Sequence, residues 1–161
     1  MTQLDDFSRI IHNGNEIGKV LHQGKTIWHE VYLARDSDFV KVEERWVYRG
    51  EALEVEIPTH INGELVTSTR SMFNENSPYQ ATTVTKVVLN HSNVTDMASM
   101  FRESSATTLD LSSFNISNVA DMSYMFYLSK TTTGYARTQT DANKFNASYG
   151  KPTGLNFVVK P

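Results

Sequence analysis

Histidines, acidic pairs and a few exposed-looking aromatics are the residues of this chain that could do chemistry. His12 and His22 hold equal places in a ten-residue repeat, so a shared metal is conceivable, but each also reads as a solvated strand residue beside a turn. His29-Glu30 belongs to no His-Glu-x-x-His motif. Asp5-Asp6 and Glu43-Glu44 could serve as general acid and base only if the fold set them in a cleft, and they read as solvated surface. No serine sits in a Gly-x-Ser-x-Gly elbow, no glycine-rich phosphate loop appears, and the absence of cysteine removes thiol nucleophiles and thiolate metal sites. Asp96 and Asp121 could face one another as calcium ligands, or act as structural caps. We expect no enzyme: no catalytic residue, no metal and no cofactor. The binding candidates are aromatic: Tyr124 and Tyr127, as a sugar-stacking or protein-contact platform or as packing for a C-terminal cap, and Trp28.

The elements that must position these residues are repeated. "SNVTDMASMF" at Ser92–Phe101 returns as "SNVADMSYMF" at Ser117–Phe126, and a weaker copy ends in "STRSMF" at Ser68–Phe73. Read as a short helix, "NVTDMASMF" has Asn93 as cap and Asp96 three residues on, and Val94, Met97, Met100 and Phe101 fall on one face. Asn118, Asp121, Val119, Met122, Met125 and Phe126 repeat the scheme. A short strand precedes each copy: Val55 and Ile57, Val87 and Leu89, Leu109 and Leu111. The Met-Phe pairs end at Phe73, Phe101 and Phe126, so the periods are 28 and 25 residues, those of a leucine-rich-repeat solenoid, in which units stack because none can cover its own apolar face. The methionines read as repeat core at helical spacing, with an adaptable partner surface as the other reading.

The expected fold is therefore α+β and β-rich: a short leucine-rich-repeat-like solenoid of short parallel strands and short helices. Its N-terminal cap is a strand over Phe39–Tyr48 turning at Arg49-Gly50-Glu51. Its C-terminal cap, about 138–161, is a helix capped by Thr138 and a closing strand over Leu155–Val159. Ahead of it, "IHNGNEI" and "LHQGKTI" carry turns at Asn13-Gly14 and Gln23-Gly24, which predicts an antiparallel β-meander over Arg9–His12, Asn15–His22 and Lys25–Tyr32. The boundary falls in Ala34–Asp38, giving segments 1–36 and 37–161.

"LDLSSFNISNVADMSYMF" resembles the repeat of the BspA-like leucine-rich-repeat surface proteins of Gram-positive bacteria and mycoplasmas, whose phrase runs close to "LDLSNFDTSNVTDMSYMF". The resemblance is specific over Val84–Phe126 and extends more weakly over Tyr48–Phe73. It implies extracellular adhesion or recognition and no catalysis; three copies, where the family has many, imply a small binding surface. The tandem "NGxxIxKVxxGxxxIW", carried by Asn13, Gly14, Ile17, Lys19, Val20, Gly24, Ile27 and Trp28, is similar to segments of phage minor tail and fibre proteins of Gram-positive hosts.

The net charge of −3 gives no basic surplus for nucleic acid, and no apolar run is long enough for membrane insertion. Asp5 and Asp6 stand where a signal peptide needs positive charge. An adhesin needs export, whereas phage proteins assemble in the host cytoplasm and leave by lysis, so the expectation is a virion structural or host-recognition protein. Its partners would be other virion proteins, itself as a homo-oligomer, and a host cell-surface protein or carbohydrate. A bacterial cell-surface adhesin is the alternative. Met1 and the C-terminal cap read as a complete chain.

Overall fold

The computed structural model describes residues 32–76, 78 and 83–161, and the strand backbone at 11–12, 15–16, 19–22 and 25–29. The chain divides into two compact units, Met1–Tyr32 and Leu33–Pro161. In the first, β1 (Ile11–His12) pairs antiparallel with β2 (Asn15–Glu16), and β3 (Lys19–His22) with β4 (Lys25–His29). The middle run Asn15–His22 thus pairs back through its first residues and forward through its last. The turns Asn13-Gly14 and Gln23-Gly24 lie outside the described residues.

In the order of the chain, β5 (Tyr32–Leu33) marks the junction and is followed by a hairpin of β6 (Phe39–Val42) and β7 (Arg45–Tyr48). Then come β8 (Glu54–Glu56), a second hairpin of β9 (His60–Ile61) and β10 (Glu64–Leu65), β11 (Lys86–Val88), β12 (Thr108–Leu111), β13 (Thr133–Ala136), helix α1 (Gln139–Asn146) and β14 (Asn156–Val159). One sheet runs β5-β8-β11-β12-β13-β14, and from β8 to β14 every neighbouring pair is parallel. That is a solenoid of five rungs. The alternation of each strand buries Val55, Val87, Leu109, Leu111 and Ala136 and turns Glu54, Lys86 and Asp110 outward, where ion pairs link Lys86 to Glu54 (3.3 Å) and Lys160 to Asp110 (2.6 Å).

The repeated phrases form the facing wall, and they are not helices. Residues 97, 99, 101 and 103 donate their N–H groups to the carbonyls of Asp121, Ser123, Met125 and Tyr127 on the next rung, at 2.8–3.0 Å. Thr69, Ser71, Phe73 and Glu75 donate in the same way to Asp96, Ala98, Met100 and Arg102. The intervening N–H groups close local turns, such as Met100 to Met97 and Arg102 to Ser99 (both 3.2 Å). A helix would direct these N–H groups along its own axis, four residues back. Here every second one leaves the turn for its neighbour, which requires Ser71, Ser99 and Tyr124 to take left-handed φ values of 56–57°. The apolar positions still share one side: Met97, Met100, Phe101, Met125 and Phe126 are fully buried. In the last copy Val119 and Met122 are only half-buried, because the next rung is the C-terminal cap rather than another copy.

Aromatic rings run through the whole stack. Centroids are 5.6 Å apart from Phe39 to Tyr48, 5.4 Å from Tyr48 to Phe73, 5.6 Å from Phe73 to Phe101 and 6.1 Å from Phe101 to Phe126. The ladder ends where Phe126 meets Phe145 of α1 (6.0 Å) and Phe157 of β14 (4.9 Å). The first hairpin therefore does close the N-terminal end, but it differs from the single strand expected over Phe39–Tyr48. The chain reverses at Glu43, whose φ is 55°, and sets Phe39 against Tyr48, which in turn meets Phe73.

At the other end α1 is capped by Thr138, whose Oγ1 accepts from the Asp141 amide (3.1 Å). β14 is the sheet's edge strand. Its outward Phe157 N–H donates to Asn146 Oδ1 (2.8 Å) and its carbonyl accepts from Asn146 Nδ2 (2.9 Å), so one side chain stands in for the missing neighbour. β13 was not foreseen: "TTTGYA" puts Gly134 at the register of Leu109 and Phe157. A β-carbon there would lie 2.2 Å from the Phe157 ring, so the position must be glycine for Phe157 to reach Phe126.

Two substitutions test this packing by their urea midpoints. Leu109→Ala, at a fully buried rung position, should lose about 2–5 kcal/mol. Gly134→Ala should lose about 1–3 kcal/mol by overpacking Phe157. Unchanged midpoints for both would refute the stacked core.

Candidate functional site

The turn wall presents three positions per rung, and they change from rung to rung. Counted from the Met-Phe pairs, Ser71, Ser99 and Tyr124 are equivalent, as are Asn74, Arg102 and Tyr127, and Glu75, Glu103 and Leu128. On the first two rungs these side chains are buried or half-buried. On the third, Tyr124 is 42% exposed and Leu128 59%, and Tyr149 beside them is 69% exposed.

Backbone geometry is shared by the copies: Ser99 and Glu103 take left-handed φ values of 57° and 59°. Tyr124 and Leu128 both take left-handed φ values, 56° and 57°. A non-glycine residue in that region costs roughly 1–2 kcal/mol, and for bulky side chains it is rare. The stack imposes the conformation, since the Tyr124 N–H must turn to the Tyr149 carbonyl (2.9 Å) as that of Ser99 does to Ser123. Polar residues hold the equivalent positions on the second rung, Ser99 and Glu103.

The three tyrosines form one group. Tyr124 meets Tyr127 edge to face at 5.6 Å and Tyr149 at 5.0 Å. Gly150, with φ of 79°, lets the chain pass close under both Tyr124 and Tyr127. Hydrogen bonding with Tyr149 holds the Tyr124 phenol above its ordinary pKa, so it stays a neutral donor and acceptor. The two readings of this pair are therefore not exclusive: Tyr124 packs against the cap and is exposed there. Arg102 continues the face, its guanidinium 5.2 Å from the Tyr127 ring centre and its Nε 3.2 Å from Glu103. Beyond it lies a cleft of about 270 Å³ lined by Arg45, Val47, Ser71, Asn74, Asn76 and Arg102.

The other candidate residues are dispersed. Asp96 and Asp121 do stand on adjacent rungs, bridged in parallel, but Arg70 occupies the space between them, with Nε 2.8 Å from Asp96 and Nη2 2.9 Å from Asp121. Each aspartate also accepts a backbone N–H two residues on, from Ala98 and Ser123. The Ser123 amide is the main cause holding the Asp121 carboxyl below its ordinary pKa, with Arg70 adding to it. Both act as turn caps, though not helix caps. Among the described residues no group of three or more His, Cys, Asp or Glu gathers in a metal-binding cluster. Trp28 lies on β4 opposite Val20, and His12 and His22 lie on β1 and β3; their side chains are outside the described residues.

His91 was passed over and is unusual. Its two ring nitrogens are buried without a hydrogen-bond partner among the described residues, beside a polar cleft of about 520 Å³ that Asn90, Asn93, Ser113 and Asn115 help to line. Burial is the main cause pushing its pKa down; the Pro58 carbonyl opposes this and His60 adds to it. Tyr149 and Arg102 were also missed. Aligning the three copies on their Met-Phe pairs would have set Arg102 level with Tyr127, whereas nothing local in "SYGKPTG" shows that Tyr149 returns to the third rung.

A pH prediction follows from His91. Its folded pKa lies below its unfolded value, so the stability of the neutral form is complete above about pH 6.5 and is lost as pH falls through that value to the depressed one. Wild-type urea midpoints should decline over that window, and His91→Gln should flatten the decline. Equal slopes in the two proteins would exclude His91 as the cause.

A family model described as "Mycoplasma protein of unknown function, DUF285" matches residues 45–150, from β7 through all three copies of the turn to the glycine under Tyr124 and Tyr127. No curated protein and no solved structure matches the chain. The matched stretch is more than half of the chain and contains every repeated turn that builds the exposed face, and so the chain belongs to the DUF285 family.

Proposed function

We propose that this chain is a non-enzymatic recognition protein whose solenoid displays the tyrosine face of its third rung to a host surface. One observation carries the reading. The last copy of the turn exposes a tyrosine and a leucine, Tyr124 and Leu128, at the left-handed positions where the preceding copy has Ser99 and Glu103. Bulky side chains at such positions are uncommon, and aromatic side chains suit a contact surface because they offer large area with few rotatable bonds. Several charged groups of the solenoid link one rung to another: Arg70 with Asp96 and Asp121, Lys86 with Glu54, and Lys160 with Asp110. That is the use of charge expected in a scaffold rather than in an acid–base site.

The carrier we propose is a phage virion, in its tail or fibre, with residues 1–36 as the attachment segment. Its support is the similarity of the Asn13–Trp28 tandem to phage tail and fibre segments. The second reading is a bacterial cell-surface adhesin module of the BspA-like kind, with which the match to a Mycoplasma protein family is consistent.

Immunogold labelling with antibody against residues 33–161 separates the two. Virions should be labelled at the tail, and labelling confined to the surface of intact cells would replace the virion by the adhesin. Deleting residues 1–32 should leave a chain with the circular dichroism and cooperative melting of a folded solenoid that no longer joins the particle. A truncated chain that folds and is still incorporated would move attachment to the solenoid, and one that fails to fold would make the hairpins part of its core.

A further inference from the structure

The turn face changes along the stack in a way that fits one ligand class. It begins with Ser71, Asn74 and Glu75, passes through Ser99, Arg102 and Glu103, and ends in Tyr124, Tyr127 and Leu128 with Tyr149 alongside. One end is therefore aromatic and exposed. The other is the cleft of about 270 Å³, where the amides of Asn74 and Asn76 and the guanidiniums of Arg45 and Arg102 stand beside Val42, Val47 and Pro78. Arg102 joins the two, lining the cleft and lying 5.2 Å from the Tyr127 ring centre. A sugar ring has the same duality. Its C–H face packs on aromatic rings, and each hydroxyl is both donor and acceptor, suited to side chains that offer paired donors or acceptors.

Charge narrows the class. The two arginines of the face already face carboxylates, Arg45 with Glu43 at 2.9 Å and Arg102 with Glu103 at 3.2 Å. Glu75 stands nearby, accepting from Ser104 (3.3 Å), and Asn76 donates to Glu103 (3.2 Å). The face has no positive surplus to hold a polyanion, and its acceptors oppose one. An aliphatic ligand would leave the polar half unused.

Resting on the recognition reading above, we propose that the turn face binds a neutral oligosaccharide laid across the rungs. One sugar ring lies against Tyr124 and Tyr149, and the following sugars hydrogen-bond to Arg102, Glu103 and Asn76. The exchange at Tyr124 is then explained: the rung that needs an aromatic contact carries tyrosine at the left-handed position where the earlier rungs carry serine.

The test is calorimetric titration of the full chain with cellohexaose, maltohexaose and chitohexaose, and with hexagalacturonate as the acidic control. At least one neutral hexasaccharide should bind, and more tightly than hexagalacturonate. Tyr124→Ser, which installs the residue of the two earlier rungs, should weaken binding about tenfold or more while keeping the circular dichroism and cooperative melting of the folded solenoid. Binding by none of the three neutral sugars at about millimolar concentration, unchanged binding in Tyr124→Ser, or tighter binding of hexagalacturonate would each overturn the proposal. The recognition reading is separable: host attachment that resists periodate but is lost on protease treatment overturns the saccharide and keeps recognition. No attachment at all removes recognition, while the titration still decides the sugar.

Discussion

A ladder of aromatic rings, from Phe39 and Tyr48 through Phe73, Phe101 and Phe126 to Phe145 and Phe157, is the constraint on which the rest of the solenoid depends. Each rung contributes one large ring that it cannot bury alone, and the rung on either side covers it. Phe73, Phe101, Phe126, Phe145 and Phe157 are almost entirely hidden. Burial of such side chains is worth roughly 1.5–3 kcal/mol each, and ring-on-ring contact adds about 0.5–1.5 kcal/mol per pair. The two caps are defined by the same rule, since each brings rings to an end of the stack where no further copy of the turn stands. Gly134 is subordinate to it as well, having no side chain so that Phe157 can reach inward.

Rings held one rung apart fix the spacing between turns, and that spacing dictates the backbone. Two ladders of hydrogen bonds join consecutive rungs, one through the parallel sheet and one through the repeated turns. The second ladder needs alternating N–H groups to leave the turn, which forces left-handed conformations at Ser71, Ser99 and Tyr124. Serine sits there at modest cost. On the third rung the same imposed geometry lifts a tyrosine and a leucine out of the wall, so the candidate contact surface is a by-product of the stacking rule applied to an altered sequence.

The DUF285 family membership and the fold agree on a stacked scaffold. Its ionic contacts reinforce that role. Arg70 bridges two aspartates on successive rungs, and Lys160 reaches back to Asp110 across the outer face of the sheet. His91, its ring nitrogens buried beside a polar cleft, stands apart from these paired groups.

The sequence by itself determined the solenoid, its period and its core. Period and apolar spacing are written locally, so Val55, Ile57, Val87, Leu89, Leu109, Leu111 and the Met-Phe pairs could be assigned to the interior and are buried there. The Thr138 cap and the closing strand were legible for the same reason. Asn62-Gly63 carried the signal for the β9–β10 turn, with φ of 49° and 80°, and was overlooked. Tertiary structure alone decided the rest. Val94, Met97, Met100 and Phe101 share one side in a helix and also in the turns observed, and the choice was made by carbonyls 24 residues away on the next rung, such as that of Asp121 for Met97. β13 escaped notice because Gly134 answers to Phe157, not to its own neighbours in the chain. Tyr124 and Tyr127 could be named from the sequence as an aromatic pair, but their joining with Tyr149 and Arg102 into one face depends on where the cap returns to the stack, and that is set by packing rather than by any local pattern.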